Sequence, residues 1–226
     1  MPKTLARDRR AKLTQSQEDY LKALYQLRQS ERAVSTSELS ERLAVSPASA
    51  AEMLGKLAAL GLVKHDRYHG AALTETGEVV ALEMIRHHRL LEMYLSEALG
   101  YSWDEVHEEA ERLEHVISER MEERIYDALG RPALDPHGDP IPSLAGEVEQ
   151  PVRRSLLDAR VGERVTVRRV SDRDPEKLRA LEDLGIRLGA VVEVRTESRY
   201  EGPIGLQVGG KKVALPIGLA RVVYCQ

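Results

Sequence analysis

Between Arg131 and Pro142 the chain carries Pro132, Pro136, Pro140 and Pro142 together with Gly138, a density of breakers that no regular helix tolerates. The segment must run extended and turn-rich, and it separates two stretches of different periodicity. Upstream, apolar residues recur at helical spacing. From about Arg153 onward the pattern changes to short Val- and Arg-rich runs, 165–170, 191–195, 206–208 and 213–215, broken by glycine turns and by one helical stretch near 175–184. The expected architecture is mainly α with β. A winged helix-turn-helix domain spans 1–75, a helical domain 76–142, a linker 143–152, and an SH3-like small β-barrel 153–226.

The helical part begins at Thr14, with Gln17 three residues on as a capping box and Tyr20, Leu21, Leu24, Tyr25 and Leu27 as its apolar stripe. Asp19 lies at the edge of that stripe. Ser35 to Leu43 reads as a short capped helix, Val45-Ser46-Pro47 as a tight turn, and Ala48 to Leu60 as a second helix, which together make a helix-turn-helix. Gly61 ends the second helix, and strands at 62–67 and 72–74 around the turn Tyr68-His69-Gly70 form a wing. Two long helical patterns, Glu78 to Leu99 and Ser102 to Leu129, are parted by Gly100 and are candidates for a dimer core.

The formal net charge of −4 conceals a strong segregation. Residues 1–75 balance at +3, residues 76–152 at −12 and residues 153–226 at +5. A basic head suits contact with a polyanion, and the acidic middle suits cation binding or a solvated face. The single cysteine, Cys225, excludes an internal disulfide framework and a cysteine-rich zinc site, and is expected to be a small buried hydrophobe. No run approaches the roughly 20 apolar residues of a membrane span, and Met1 to Lys12 is basic without the apolar stretch of a secretory signal. A cytoplasmic protein without a membrane partner is expected.

His107, Glu111, Glu114 and His115 stand at spacings of four, three and one. On one continuous helix, at about 100° per residue, they occupy an arc of roughly 100° beside the apolar residues Ala110, Leu113, Ile117 and Met121. Carboxylates bordering a core are costly unless a cation joins them. His88 and Glu92, four apart on the preceding helix, add an imidazole and a carboxylate. Taken singly, each of these residues fits a solvated acidic helix better than a ligand set; as a group they fit a first-row divalent metal, and the lack of thiolates points away from structural zinc toward manganese or iron. His65, His69 and His137 fall in the wing or linker with no second ligand at helical spacing, and are expected to be surface or turn residues.

The helix-turn-helix, the run His88-Arg89-Leu90-Leu91-Glu92, the run Glu111-Arg112-Leu113-Glu114-His115 and the segment Asp135-Pro136-His137-Gly138-Asp139-Pro140-Ile141-Pro142 together resemble the diphtheria toxin repressor family, including its manganese transport regulators. The resemblance covers nearly the whole chain and implies a FeoA-like tail. It implies a primary metal site at Asp19, Glu111, Glu114 and His115 and an ancillary site at His88, Glu92 and His107, with Asp174 or Glu176 as a candidate ligand from the tail. Iron-responsive members typically carry Met and Cys where this chain has Asp19 and Glu111, so the resemblance favours manganese over iron. Lys22 departs from the Glu that manganese regulators use, and His107 with Glu92 keeps the iron-type ancillary pair.

The implied function is a metal-dependent repressor of metal homeostasis rather than an enzyme: a homodimer that binds a palindromic double-stranded operator and takes no organic substrate. A ligand on the first helix and others on the dimer-domain helix would let one ion set the separation of two recognition helices, which must match half-sites about 34 Å apart or a multiple of that. Ser46, Pro47, Ala48, Ser49 and Ala50 can approach base edges or thymine methyls, while Arg9, Arg10, Lys12, Lys56 and Lys64 are candidate phosphate contacts. Two rivals make different predictions. A metallohydrolase needs an open coordination position and a placed base, for which no motif is present. A metal-independent winged-helix regulator would bind DNA equally well in chelator.

Overall fold

The helix-turn-helix forms because three successive N-caps are in place. Thr14 closes a capping box with Gln17 at the start of α1 (Gln15–Leu27), and Ser35 does the same with Glu38 for α2 (Thr36–Arg42). Ser46 Oγ accepts from Ser49 N to start α3 (Pro47–Ala59), where Pro47 supplies the preset φ of a first turn. The tight turn between α2 and α3 is made by Ala44 in the left-handed region, at φ 52°. The structure, a computed structural model, describes residues 13–28, 33–66, 69–171, 174–197 and 202–226, so Arg9, Arg10, Lys12 and Tyr68 lie outside the described residues.

Internal contacts divide the chain into two units. The first comprises Met1–His87, Glu114–Ile117 and Pro142–Glu147, and the second His88–Leu113, Ser118–Ile141 and Val148–Gln226. In the first, Leu21, Leu24, Leu39, Leu54, Leu57 and Leu62 interdigitate into a core. The wing is an antiparallel hairpin of β1 (Val63–Asp66) and β2 (Gly70–Leu73), in register from Val63 opposite Leu73 to Asp66 opposite Gly70. The next helix, α4 (Glu75–Leu99), starts against that core, and its Gly77 passes so close to Leu62 that a Cβ would collide with the Leu62 carbonyl.

The expected continuous helix from Ser102 to Leu129 is instead two, α5 (Val106–Leu113) and α6 (Glu119–Ala128). The break has a local cause. Val116 and Ile117 are adjacent β-branched residues, and Ser118 follows as an N-cap whose Oγ accepts from Met121 N at 3.3 Å, so the backbone gains more by restarting than by continuing. Glu114 and His115 therefore leave the helix that carries His107 and Glu111. The backbone of the released segment is tied down by His87, whose Nδ1 lies 3.2 Å from Glu114 O.

The second unit contains the expected small β structure. Strands β3 (Arg164–Val170), β4 (Val191–Thr196), β5 (Ile204–Val208), β6 (Lys211–Leu215) and β7 (Val223–Cys225) form an antiparallel sheet in the order β6-β5-β4-β3-β7. The sheet curls around Val167, Leu178, Leu181, Val192, Leu206 and Leu215, to which α7 (Pro175–Asp183) contributes one face. Cys225 is buried in this core, and burial raises its thiol pKa, as befits a packing residue.

Candidate metal centres and DNA interface

Among the described residues, ligand-type side chains gather around Asp19, Glu114 and His115 in the first unit and around Glu92 in the second. In the first, α1 presents Glu18, Asp19 and Lys22 to the released segment 114–117. His115 Nε2 lies 3.1 Å from Asp19 Oδ1 and 3.7 Å from Glu114 Oε1, while its Nδ1 lies 2.6 Å from Glu18 Oε2. Asp19, Glu114 and His115 each offer an atom within 4.8 Å of the others. Glu114 is buried, and Lys22 Nζ sits 2.8 Å from each of its carboxylate oxygens. Burial alone would lower the His115 pKa, but hydrogen bonds to Asp19 and Glu18 and the negative charges of Asp19 and Glu114 outweigh it and raise it to about 9. Without a metal, the ring is an imidazolium clasped by carboxylates.

In the second unit, Glu92 is the hub. Its Oε1 lies 2.9 Å from His88 Nε2 and 3.1 Å from His107 Nδ1, and those two nitrogens are 3.0 Å apart. Glu111 stands beside this group, its Oε1 3.6 Å from His107 Nε2. Glu92 Oε2 is buried without a hydrogen-bond partner and lies 3.8 Å from His137 Nδ1. Burial opposes ionisation of Glu92, yet the charge of His88 and hydrogen bonds from His107 and His88, with His137 close by, hold its pKa well below the usual carboxylate range.

His137 was expected on the surface, and its side chain is fully buried instead. The turn that carries it explains why. Asp135 Oδ1 accepts from the backbone N–H groups of His137 and Asp139, both at 2.9 Å, and Gly138 adopts φ 87° so close to Arg168 O that no side chain fits. Val170 N donates to His137 O at 2.9 Å, docking the turn on β3. The imidazole then lies over Trp103, where Nε2–H donates to Trp103 O at 2.7 Å and turns Nδ1 toward Glu92. Glu92, Asp135 and His137 form a second overlapping ligand group. Burial, with the charges of Glu92 and Asp139 close by, pushes the Asp135 carboxyl up to about 8.

Asp174 acts within its own helix. Its Oδ1 caps α7 by accepting from Glu176 N and Lys177 N, and its Oδ2 pairs with Lys177 Nζ at 3.0 Å. Among the described residues, no ligand group includes Asp174 or Glu176.

On α3, Ser46, Pro47, Ala48 and Ser49 are exposed. Ala50 is fully buried, because its position four before Leu54 and seven before Leu57 turns it into the core, which removes it as a base contact. The exposed face continues instead through Ala51, Glu52, Gly55 and Lys56, with Lys56 Nζ 2.8 Å from Glu52 Oε1. Lys64 is exposed on β1 of the wing.

Three family models match the chain. "Iron dependent repressor, N-terminal DNA binding domain" covers residues 12–71, "Iron dependent repressor, metal binding and dimerisation domain" covers 74–143, and "FeoA domain" covers 154–226. The chain belongs to the diphtheria toxin repressor family. This repressor is 31% identical over 224 residues to the iron-dependent repressor IdeR of Mycobacterium tuberculosis, spanning 93% of this chain and 96% of that one. It is 30% identical over 223 residues to the diphtheria toxin repressor of Corynebacterium glutamicum, with coverage of 93% and 96%. Among solved structures it is similar to a manganese-dependent transcriptional repressor in complex with manganese, at 42% identity, TM-score 0.85 and coverage of 92% and 98%. The manganese regulator SloR follows at 30% identity, TM-score 0.76 and coverage of 93% and 97%. The chain is thus a metal-dependent, DNA-binding transcriptional repressor of a family that dimerises through its metal-binding domain, and it is not an enzyme.

Three residues of this repressor's ligand clusters escaped the sequence reading. Glu18 is separated from His115 by 97 positions, so no local spacing could pair them. Asp135 and His137 were visible in the Asp-Pro-His-Gly run. Their signal was the turn chemistry, an Asp able to cap its own turn and a Gly directly after a buried position.

Proposed function

We propose that manganese(II) is the corepressor of this protein, held by Asp19, Glu114 and His115, and that it stabilises a cytoplasmic homodimer for binding to a palindromic operator. The observation that carries this reading is the convergence of two carboxylates and one imidazole from α1 and from the segment joining α5 to α6. Oxygen donors with one imidazole suit manganese. Asp19, Glu114 and His115 would hold a divalent ion there, which would supply the positive charge that offsets the two carboxylates. Glu18 fixes the ring through Nδ1, which directs Nε2 at Asp19 and Glu114. Asp19 belongs to the helix that packs under the recognition helix, so tying it to 114–117 would restrict where α3 can stand. No described helix is long and apolar enough to cross a membrane.

The Glu92 cluster fits a further divalent ion. Its donors are imidazole and carboxylate, and the buried Glu92 Oε2 lacks a hydrogen-bond partner. His88, Glu92 and His107, with Asp135 and His137 adjoining, would hold it; Glu111 borders His107. Two imidazoles around Glu92 also favour a second reading in which iron(II) is the activating metal.

Operator selection from random duplexes, run anaerobically with chelator, manganese(II) or iron(II), tests both. Enrichment of a palindrome with manganese alone supports the first reading, enrichment with iron alone the second, and enrichment in chelator refutes metal control.

A further inference from the structure

Lys22 lies on α1 three residues after Asp19, on the same helical face, and its side chain is only 7% exposed. Its Nζ stands 2.8 Å from both Oε1 and Oε2 of Glu114, side-on to the carboxylate. Glu114 Oε1 is also the atom that faces His115 Nε2 at 3.7 Å. One buried carboxylate is therefore claimed from two directions, by an ammonium of the chain and by the Asp19–His115 pair.

We propose that Lys22 is a resident cation of the Asp19–Glu114–His115 group: it neutralises Glu114 in the metal-free protein and must surrender that carboxylate to the incoming divalent ion. This rests on the metal reading above and adds a regulatory consequence to it. A buried Glu114 without a positive partner would be an uncompensated charge, so the metal-free unit needs Lys22 to stay folded around it. The same ammonium repels a dication that shares its carboxylate. The Lys22–Glu114 contact therefore raises the metal concentration at which the repressor responds. The long flexible stem of lysine suits the role, because the ammonium can swing clear while its carbons remain packed.

The test is manganese(II) titration by calorimetry of the full chain, alongside its thermal midpoint without metal. Lys22→Gln, neutral and of similar reach, is expected to bind manganese at least tenfold more tightly while melting several degrees lower without metal. Lys22→Arg, which keeps the charge, should stay within threefold of the parent affinity. Asp19→Ala serves as the control for the site. If it removes the binding event of this site, leaving that of the Glu92 group, while Lys22→Gln binds no more tightly than the parent, the competition is wrong and the metal site stands. If Asp19→Ala binds manganese as the parent does, the site reading fails and this proposal falls with it. Should Lys22→Gln be too unstable to titrate, lysine acetylation of the parent read by mass spectrometry decides the matter. Modification of Lys22 should rise at least fivefold on manganese saturation, and an unchanged or lower rate overturns the proposal.

Discussion

Glu18 Oε2 lies 2.6 Å from His115 Nδ1, on the opposite edge of the ring from Asp19. A carboxylate behind an imidazole fixes its orientation and raises the basicity of the far nitrogen, and loss of such a partner typically costs about 10- to 100-fold in metal affinity. Glu18→Gln keeps the shape and weakens the hold. Its manganese affinity, measured by calorimetry, is expected to fall by about that factor while the circular dichroism spectrum is retained. Parent-like affinity would reduce Glu18 to a packing residue.

The same clasp makes metal binding depend on pH. His115 titrates near 9 in the metal-free fold against 6.5 for a free imidazole. Because the folded value is the higher, the clasp contributes its full stability below about pH 6.5 and loses it as pH rises through about 9. Metal binding runs the other way, since Nε2 must give up its proton before its lone pair can face a cation. Between pH 7 and 8, manganese binding should release about one proton from this residue, and affinity should climb close to tenfold per pH unit. Calorimetry in two buffers of different ionisation enthalpy gives the proton count. A count of zero, with affinity flat across that range, would mean that His115 is not a ligand.

The order of elements was legible because each has a local cause written in the chain: the Thr14 and Ser35 capping boxes, Pro47 at a first turn, Gly100 and the proline-rich segment after Arg131. Ligand types were legible as well, since His and Glu at helical spacing beside apolar residues have few inexpensive explanations. What could not be read was the geometry that tertiary packing imposes. A helical wheel drawn through Ser102 to Leu129 puts Glu114 beside Glu111, whereas Val116, Ile117 and Ser118 end that helix and give Glu114 and His115 to α1. The burial of His137 depends on contact with β3, more than 30 positions away. Ala50 looked like a helix-start contact until Leu54 and Leu57 set which face of α3 is inside.

Two glycines should respond oppositely to alanine. At Gly77 an added Cβ meets the Leu62 carbonyl, backbone that cannot step aside, so collision outweighs the gain in helix propensity and a net loss of about 1–3 kcal/mol is expected. At Gly55, on the exposed face of α3, nothing lies within 4 Å, and alanine should stabilise by up to about 1 kcal/mol. Urea denaturation of both variants checks this. Equal effects would contradict the packing of α4 on Leu62.

Ala48 and Ala50 separate reading DNA from holding the domain together. Ala48 projects outward in the first turn of α3, and Ala50 is fully buried beneath it. A carboxylate at position 48 would face phosphates and base edges, where like charge repels, but would cost the fold little. Ala48→Asp should lose operator binding by at least a hundredfold with a thermal midpoint near that of the parent. At position 50 the carboxylate has no solvent and no partner, and leaving such a group buried costs several kcal/mol, so Ala50→Asp should unfold the first unit before any binding can be measured. Fluorescence anisotropy with the selected operator, paired with thermal melts, distinguishes the two. A folded, non-binding Ala50→Asp would place that residue at the interface and reverse the face assigned to α3.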